Sequence, residues 1–143
     1  MYIYGDGPDK SSLIDLTKKL TIEDYVHFPG YVKDVLGVLD EASIFVMSSN
    51  YEGMPNSLME AMAVGLPVIS TDCPCGGPRY LIKDMENGLL IPTNDLEKLT
   101  EALKLLISNE KLRVQLGFKA HEICTRLSPE TVYGRWERVI SDL

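Results

Sequence analysis

The chain is short of several things, and each shortage removes a class of function. Lysine and arginine total 14 against 21 aspartates and glutamates, a formal net charge of −7. Generic nucleic-acid binding needs a positive footprint and is therefore not expected. A phosphate ligand survives this test, because backbone amides hold phosphates without lysines. No apolar run approaches the roughly 18 residues of a membrane-spanning helix, and no Lys/Arg-rich amphipathic stretch marks a membrane surface. The start, Met1-Tyr2-Ile3-Tyr4-Gly5-Asp6, lacks the basic region of a secretory signal, so a cytoplasmic setting is the expectation. Cysteine is sparse and odd in number: Cys73-Pro74-Cys75 and a lone Cys124, with His27 and His121 far from the pair in sequence. Structural zinc wants four ligands, so the expectation is no metal and reduced thiols.

Several motifs are missing as well. Gly5-Asp6-Gly7-Pro8 supplies the first two glycines of a dinucleotide fingerprint, but the third position is Lys10, which argues against an NAD domain. No Walker A loop occurs, and no Ser-His-Asp or Cys-His constellation has a recognisable context. A flavodoxin-like or receiver-like domain would carry acidic residues clustered after its first strands, where only Asp6 is near.

What remains is the pattern of one α/β domain spanning residues 1–143, long enough to bury a core. Strands are expected at Tyr2–Tyr4, Tyr25–Phe28, Ile44–Met47, Val68–Thr71 and Gly88–Ile91. The continuous apolar run of Ile44–Met47 reads as the central strand, buried on both faces. Helices are expected from Ser11 to Leu20 with Leu13, Leu16 and Leu20 inward, and from Lys33 to Asp40 with Val35, Leu36 and Leu39 inward. Others are expected from about Asn56 to Val64, from Asp95 onward, from Glu110 to about Thr125, and after Ser128-Pro129. Each strand leads into a loop rich in Gly, Pro, Ser, Asn or Asp. In a parallel sheet such loops gather at the carboxyl edge, where ligands bind.

The most informative loop follows Ile44–Met47. It reads Ser48-Ser49-Asn50-Tyr51-Glu52-Gly53-Met54-Pro55 and runs into a helix carrying Glu60. A helix start presents amides without partners and partial positive charge, so Gly53 through Leu58 form a candidate phosphate site. Glu60 has two readings on pattern alone. Ser57-Leu58-Met59-Glu60 is a capping box, in which Glu60 bonds back to the Ser57 amide. Alternatively its two oxygens accept from the neighbouring hydroxyls of a ribose. Glu52, in the loop itself, could be a solvated loop residue or cap the same helix; alternatively it could orient sugar hydroxyls or stabilise positive charge on a sugar ring.

These residues resemble the carboxyl-terminal half of a retaining glycosyltransferase of the GT-B type, group 1 (family 4). The Glu-x7-Glu motif of that family corresponds to Glu52 and Glu60, within Ser49-Asn50-Tyr51-Glu52-Gly53-Met54-Pro55 and Glu60-Ala61-Met62-Ala63-Val64-Gly65-Leu66-Pro67-Val68. Gly5-Asp6-Gly7-Pro8, Val26-His27-Phe28-Pro29-Gly30-Tyr31 and Gly88-Leu89-Leu90-Ile91-Pro92 resemble three further family segments, in order. The resemblance implies a Rossmann-like parallel sheet with helices on both faces. It implies that Glu60 binds the donor ribose, that Glu52 sits at the donor sugar and assists transfer, and that Gly53, Met54, Pro55, Asn56, Ser57 and Leu58 hold sugar and diphosphate. Gly5 and Gly7 would form the glycine loop, and Phe28, Gly30 and Tyr31 would flank the base. The donor would be a nucleotide sugar, with the Thr71–Pro78 segment resembling users of UDP-hexoses or UDP-N-acetylhexosamines. No metal or other cofactor would be required. The acceptor, a glycan or lipid-linked glycan, would be engaged through an amino-terminal domain that this chain lacks.

The departures matter too. The family's diphosphate-binding Arg and Lys lie upstream of the glycine loop and have no counterpart here, and Tyr80 stands where an acidic residue is common. The expectation is therefore a half-domain without transfer activity alone, from a protein working in the cytoplasm or at the inner membrane face. Its carboxyl-terminal stripe (Val132, Trp136, Val139, Ile140) would face the missing half and leave the fragment open to self-association. A non-catalytic nucleotide-sugar-binding module is the alternative.

Overall fold

In the computed structural model, which describes residues 1–142, every strand pairing is parallel and helices fill the connections between strands. The elements run β1 (Tyr2–Tyr4), α1 (Lys10–Lys19), β2 (His27–Gly30), α2 (Val35–Asp40), β3 (Phe45–Met47), α3 (Asn56–Ala63), β4 (Val68–Thr71), α4 (Gly77–Leu81), β5 (Leu89–Ile91), α5 (Leu96–Ser108), α6 (Glu110–Ala120), α7 (Ile123–Arg126) and α8 (Pro129–Ser141). They form two compact units, residues 1–35 and residues 36–142.

The first unit is a two-stranded sheet, β1 against β2, with α1 between them in sequence. Two expectations change here. Residues 23–25 form a turn of 3₁₀ helix, and the strand starts at His27 and takes in Pro29 and Gly30. Pairing decides this: Tyr2 lies opposite His27 and Tyr4 opposite Gly30. Proline, having no N–H to give, is tolerated on such an edge strand. The inward residues of α1 are Ile14 and Thr17, whereas Leu13, Leu16 and Leu20 are exposed. The leucines do share a face, but nothing in this small unit covers it.

The second unit is built on the sheet β3-β4-β5. Its middle strand is β4, buried at all four positions. The expected central strand, β3, is an edge of this sheet, and Val46 is exposed. Apolarity misled because β4 reads Val-Ile-Ser-Thr. Its two polar residues tolerate burial because their hydroxyls are satisfied: Ser70 Oγ donates to the Thr71 carbonyl at 3.2 Å, and Thr71 Oγ1 donates to the Ser49 carbonyl. Helices lie on both sides of the parallel strands. Ile69, Leu89 and Ile91 pack with Ala102, Leu106 and Leu116 from α5 and α6. Burial of a large aliphatic side chain of this kind contributes about 1.5–3 kcal/mol.

Beyond β5 the helix starts are chemically marked. Asp95 accepts from the Lys98 amide at 2.9 Å, Asn109 from Leu112 at 3.0 Å, and Ser128 from Thr131 at 3.2 Å; such caps contribute about 1 kcal/mol each. The helix expected to run to Thr125 is interrupted at His121 and Glu122, where the His121 ring turns back to the Ala63 carbonyl, 2.5 Å from Nδ1. Leu36 in α2, Leu96 in α5, and Trp136, Val139 and Ile140 in α8 are exposed; α8 has no fully buried residue. No helix among the described residues is long and apolar enough to cross a membrane.

One close approach fixes α6 against the end of α3. A Cβ placed on Gly117 would lie 2.2 Å from the Gly65 carbonyl oxygen. Alanine would add about 1 kcal/mol of helix propensity, but the obstacle is backbone and overpacking costs about 1–3 kcal/mol. Gly117→Ala is therefore expected to lower stability by about 1–2 kcal/mol in urea unfolding, against the direction propensity alone dictates.

Candidate functional site

The parallel register places the carboxyl ends of β3, β4 and β5 side by side: Met47 pairs with Ser70, and Thr71 with Ile91. Two loops leave this edge next to each other, residues 48–55 before α3 and residues 72–76 before α4. Three contacts hold them together, one within the loops and two from Thr71 and Gly77, which flank the second loop. Thr71 Oγ1 donates to the Ser49 carbonyl. Cys75 Sγ lies 3.1 Å from the Tyr51 hydroxyl. Gly77 packs directly on Gly53, so that a Cβ at Gly77 would lie 1.6 Å from the Gly53 oxygen.

Within this frame Glu52 is half-buried, and its Oε1 accepts from Ser49 Oγ at 2.8 Å. The chain then enters α3 with Pro55 at the cap position and no side chain capping the start. The first-turn amides of Asn56, Ser57 and Leu58 are thus left for solvent or a ligand. No acidic residue occupies that first turn, so its partial positive charge is not neutralised locally. The capping box does not form. The helix begins at Asn56, which puts Ser57 inside the first turn and not at the cap. Glu60, half-buried one turn further on, is left without that structural role.

The loop 72–76 carries its own charge pair. Arg79 grips Asp72 at two points, Nε donating to Oδ1 at 2.9 Å and Nη2 to Oδ2. This holds the Asp72 carboxyl below its ordinary range. Beside the pair is a shallow pocket of about 420 Å³, lined by Asp72, Cys75, Gly76, Arg79 and Thr93 among others. Tyr80 points elsewhere: its ring lies under the Arg126 guanidinium, 5.4 Å away, and its hydroxyl accepts from Arg135 at 3.4 Å. No three His, Cys, Asp or Glu side chains converge as metal ligands among the described residues.

In the first unit, the Gly5 amide donates to the Gly30 carbonyl at 2.9 Å, which ties the two glycine-bearing loops together. Gly7 is exposed, Phe28 half-buried and Tyr31 exposed. Lys10, the residue that breaks the dinucleotide fingerprint, pairs with Asp6 at 3.5 Å across the same loop. Sequence reasoning missed the parts played by Ser49 and Thr71. Ser49 stood within the quoted motif, and its spacing of three from Glu52 was a usable signal. Thr71 gave none, because its contact to Ser49 spans 22 positions.

Two outcomes are expected. Gly77→Ala must push the loops apart, because the atom it meets is a backbone oxygen; amide signals of residues 51–56 and 72–77 should move together in NMR spectra while α5 and α6 keep theirs. The Asp72–Arg79 pair should tie stability to acidity. The carboxyl titrates lower in the folded chain, so its contribution is complete above its unfolded value of about 3.9 and is lost as pH falls through the lower folded value. Asp72→Asn should flatten the acid limb of a stability-versus-pH curve below about pH 4.

Comparison with known proteins supplies the context for this geometry. The chain is 36% identical over 142 residues to an exopolysaccharide phosphotransferase of Streptomyces coelicolor, covering 99% of this chain and 15% of that protein. It is 30% identical over 141 residues to the amylovoran biosynthesis glycosyltransferase AmsD of Erwinia amylovora, covering 99% of this chain and 39% of the relative. The chain thus spans well under half the length of these curated relatives. Among solved structures, S. aureus TarM in complex with fondaparinux, α-GlcNAc-glycerol and UDP superposes with a TM-score of 0.88 at 29% identity, covering 96% of this chain and 28% of that one. The match falls on the carboxyl-terminal part of a GT-B glycosyltransferase. The model of the family described as glycosyl transferases group 1 matches residues 1–122, and the chain belongs to that family.

Proposed function

We propose that this chain is the donor-nucleotide domain of a retaining glycosyltransferase that moves a hexose or N-acetylhexosamine from a UDP-sugar to a glycan or lipid-linked acceptor during surface polysaccharide synthesis. The observation that carries the reading is the pair Glu52 and Glu60, both half-buried, on either side of an uncapped helix start at the carboxyl edge of a parallel sheet. The uncapped amides of the first turn suit a diphosphate. Glu60 accepts from the ribose hydroxyls, and Glu52 faces the donor sugar. Gly5, Gly7, Phe28, Gly30 and Tyr31 keep the donor-side roles that the family implies. TarM, crystallised with UDP, supports the choice of nucleotide, and the biosynthetic role of AmsD supports the product class.

Charge stabilisation on a departing diphosphate comes in this reading from amides and cations, with no metal required. The acceptor binds through an amino-terminal domain, in the cytoplasm or at the inner membrane face. Taken alone, the chain is inactive in transfer and self-associates through the exposed α8 stripe.

The test is titration with UDP, GDP and UDP-sugars followed by NMR. Shifts should be confined to the loops around Gly5, Gly30 and residues 52–60. Glu60→Gln removes hydrogen bonds to a charged acceptor, so UDP affinity should fall roughly 10- to 100-fold. Melting temperature should hardly change, because no capping hydrogen bond is lost. Unchanged affinity with a lowered melting temperature would overturn the assignment.

A further inference from the structure

Behind Glu52 stand two separate hydrogen bonds that meet at Ser49, one to its main-chain carbonyl and one from its side-chain hydroxyl. Thr71 is the last residue of β4 and only 3% exposed. Its single proton goes to the Ser49 carbonyl, with the Met47 carbonyl more distant at 3.5 Å. Ser49 in turn gives its proton to Oε1 of Glu52 at 2.8 Å. A hydroxyl has one proton to donate, so both are committed: Thr71 holds the main chain of Ser49 to the strand, and the Ser49 side chain holds Glu52. No protein donor reaches Oε2 of Glu52 among the described residues. One oxygen is therefore held by the protein while the other is available to a ligand hydroxyl.

We propose that Thr71 is a positioning residue for Glu52: through Ser49 it transmits the rigidity of the buried strand to the carboxylate that meets the donor sugar. The inference rests on the reading of Glu52 as the sugar-facing group. Loops at sheet edges are mobile by default, and an acceptor oxygen discriminates between sugars only if its place is fixed. The strand end is the most constrained element nearby, since β4 is buried throughout and paired on both sides.

The experiment uses the 143-residue chain with ¹³C-labelled glutamate and three variants, Thr71→Val, Thr71→Ser and Ser49→Ala. Two quantities are read: the Glu52 carboxyl ¹³C shift without ligand, and the ratio of UDP-glucose or UDP-N-acetylglucosamine affinity to UDP affinity. Thr71→Val should move the carboxyl signal and cut the ratio roughly three- to tenfold, while Thr71→Ser restores both. Combined with Glu52→Gln, Thr71→Val should lower the ratio no further. A merely structural threonine would lower the melting temperature and leave both readouts alone, which overturns the proposal. If Thr71→Val does not fold, Ser49→Ala keeps the Thr71 bond and removes the second one, to Glu52, and an unmoved Glu52 signal there is equally decisive against the proposal. A wild-type chain that binds no nucleotide, with a carboxyl signal that still answers to Thr71→Val, sinks the donor-site reading and leaves the positioning role standing.

Discussion

The candidate site depends on a backbone approach that leaves no space for a side chain. Gly77 lies so close to the Gly53 carbonyl that any Cβ would overlap it, and this contact sets where the loop before α4 meets the loop before α3. The neighbouring links follow from it. With Gly77 seated, Cys75 reaches Tyr51 and Arg79 closes on Asp72. The loop before α4 includes a non-glycine residue, Cys75, at a φ of +73°, a conformation that costs of order 1–3 kcal/mol and persists only where surroundings over-determine it. The stitching between the two loops is what over-determines it here.

A second constraint comes from the buried strand β4. Placing serine and threonine in the middle of a sheet costs free energy unless their hydroxyls find acceptors. Both do so without competing for the ladder, because side-chain protons go to carbonyls that have a second lone pair. The same solution that makes burial of Thr71 tolerable also ties the loop carrying Glu52 to the sheet. One hydrogen bond thus serves both the burial of Thr71 and the placement of the loop that carries Glu52.

Much of this was legible in the sequence, for local reasons. Gly65 and Pro67 mark the end of α3, Ser128-Pro129 marks the start of α8, and the run of strand, polar loop and helix places the motif at the carboxyl edge. The errors share a cause. The apolar pattern points Ile44–Met47 to the centre and Leu13, Leu16 and Leu20 to the interior because it reports which residues prefer burial, not which partners are present to bury them. The capping-box pattern at Ser57 and Glu60 failed because Pro55 starts the helix earlier than the box requires. Thr71 has no signal because a contact between a strand end and a loop 22 positions away has no local signature.

The distribution of charge indicates what this domain contributes in the proposed reading. A helix start offers about half a positive charge, worth about 0.3–1 kcal/mol to an exposed anion and up to about 2 in a partly buried geometry. Arg79 is already committed to Asp72 at two points, and the whole chain carries −7. Attraction for a diphosphate is therefore modest at this edge. Carboxylates that accept from hydroxyls behave differently: hydrogen bonds to charged groups contribute about 1.5–3 kcal/mol each, and they depend on where each hydroxyl points. The larger free-energy differences available here lie with the polyol parts of the ligand, ribose and sugar, and only weakly with its phosphates. Under the proposed function, that ordering gives recognition of the donor to Glu52 and Glu60, and leaves the neutralisation of leaving-group charge to cations beyond this loop pair.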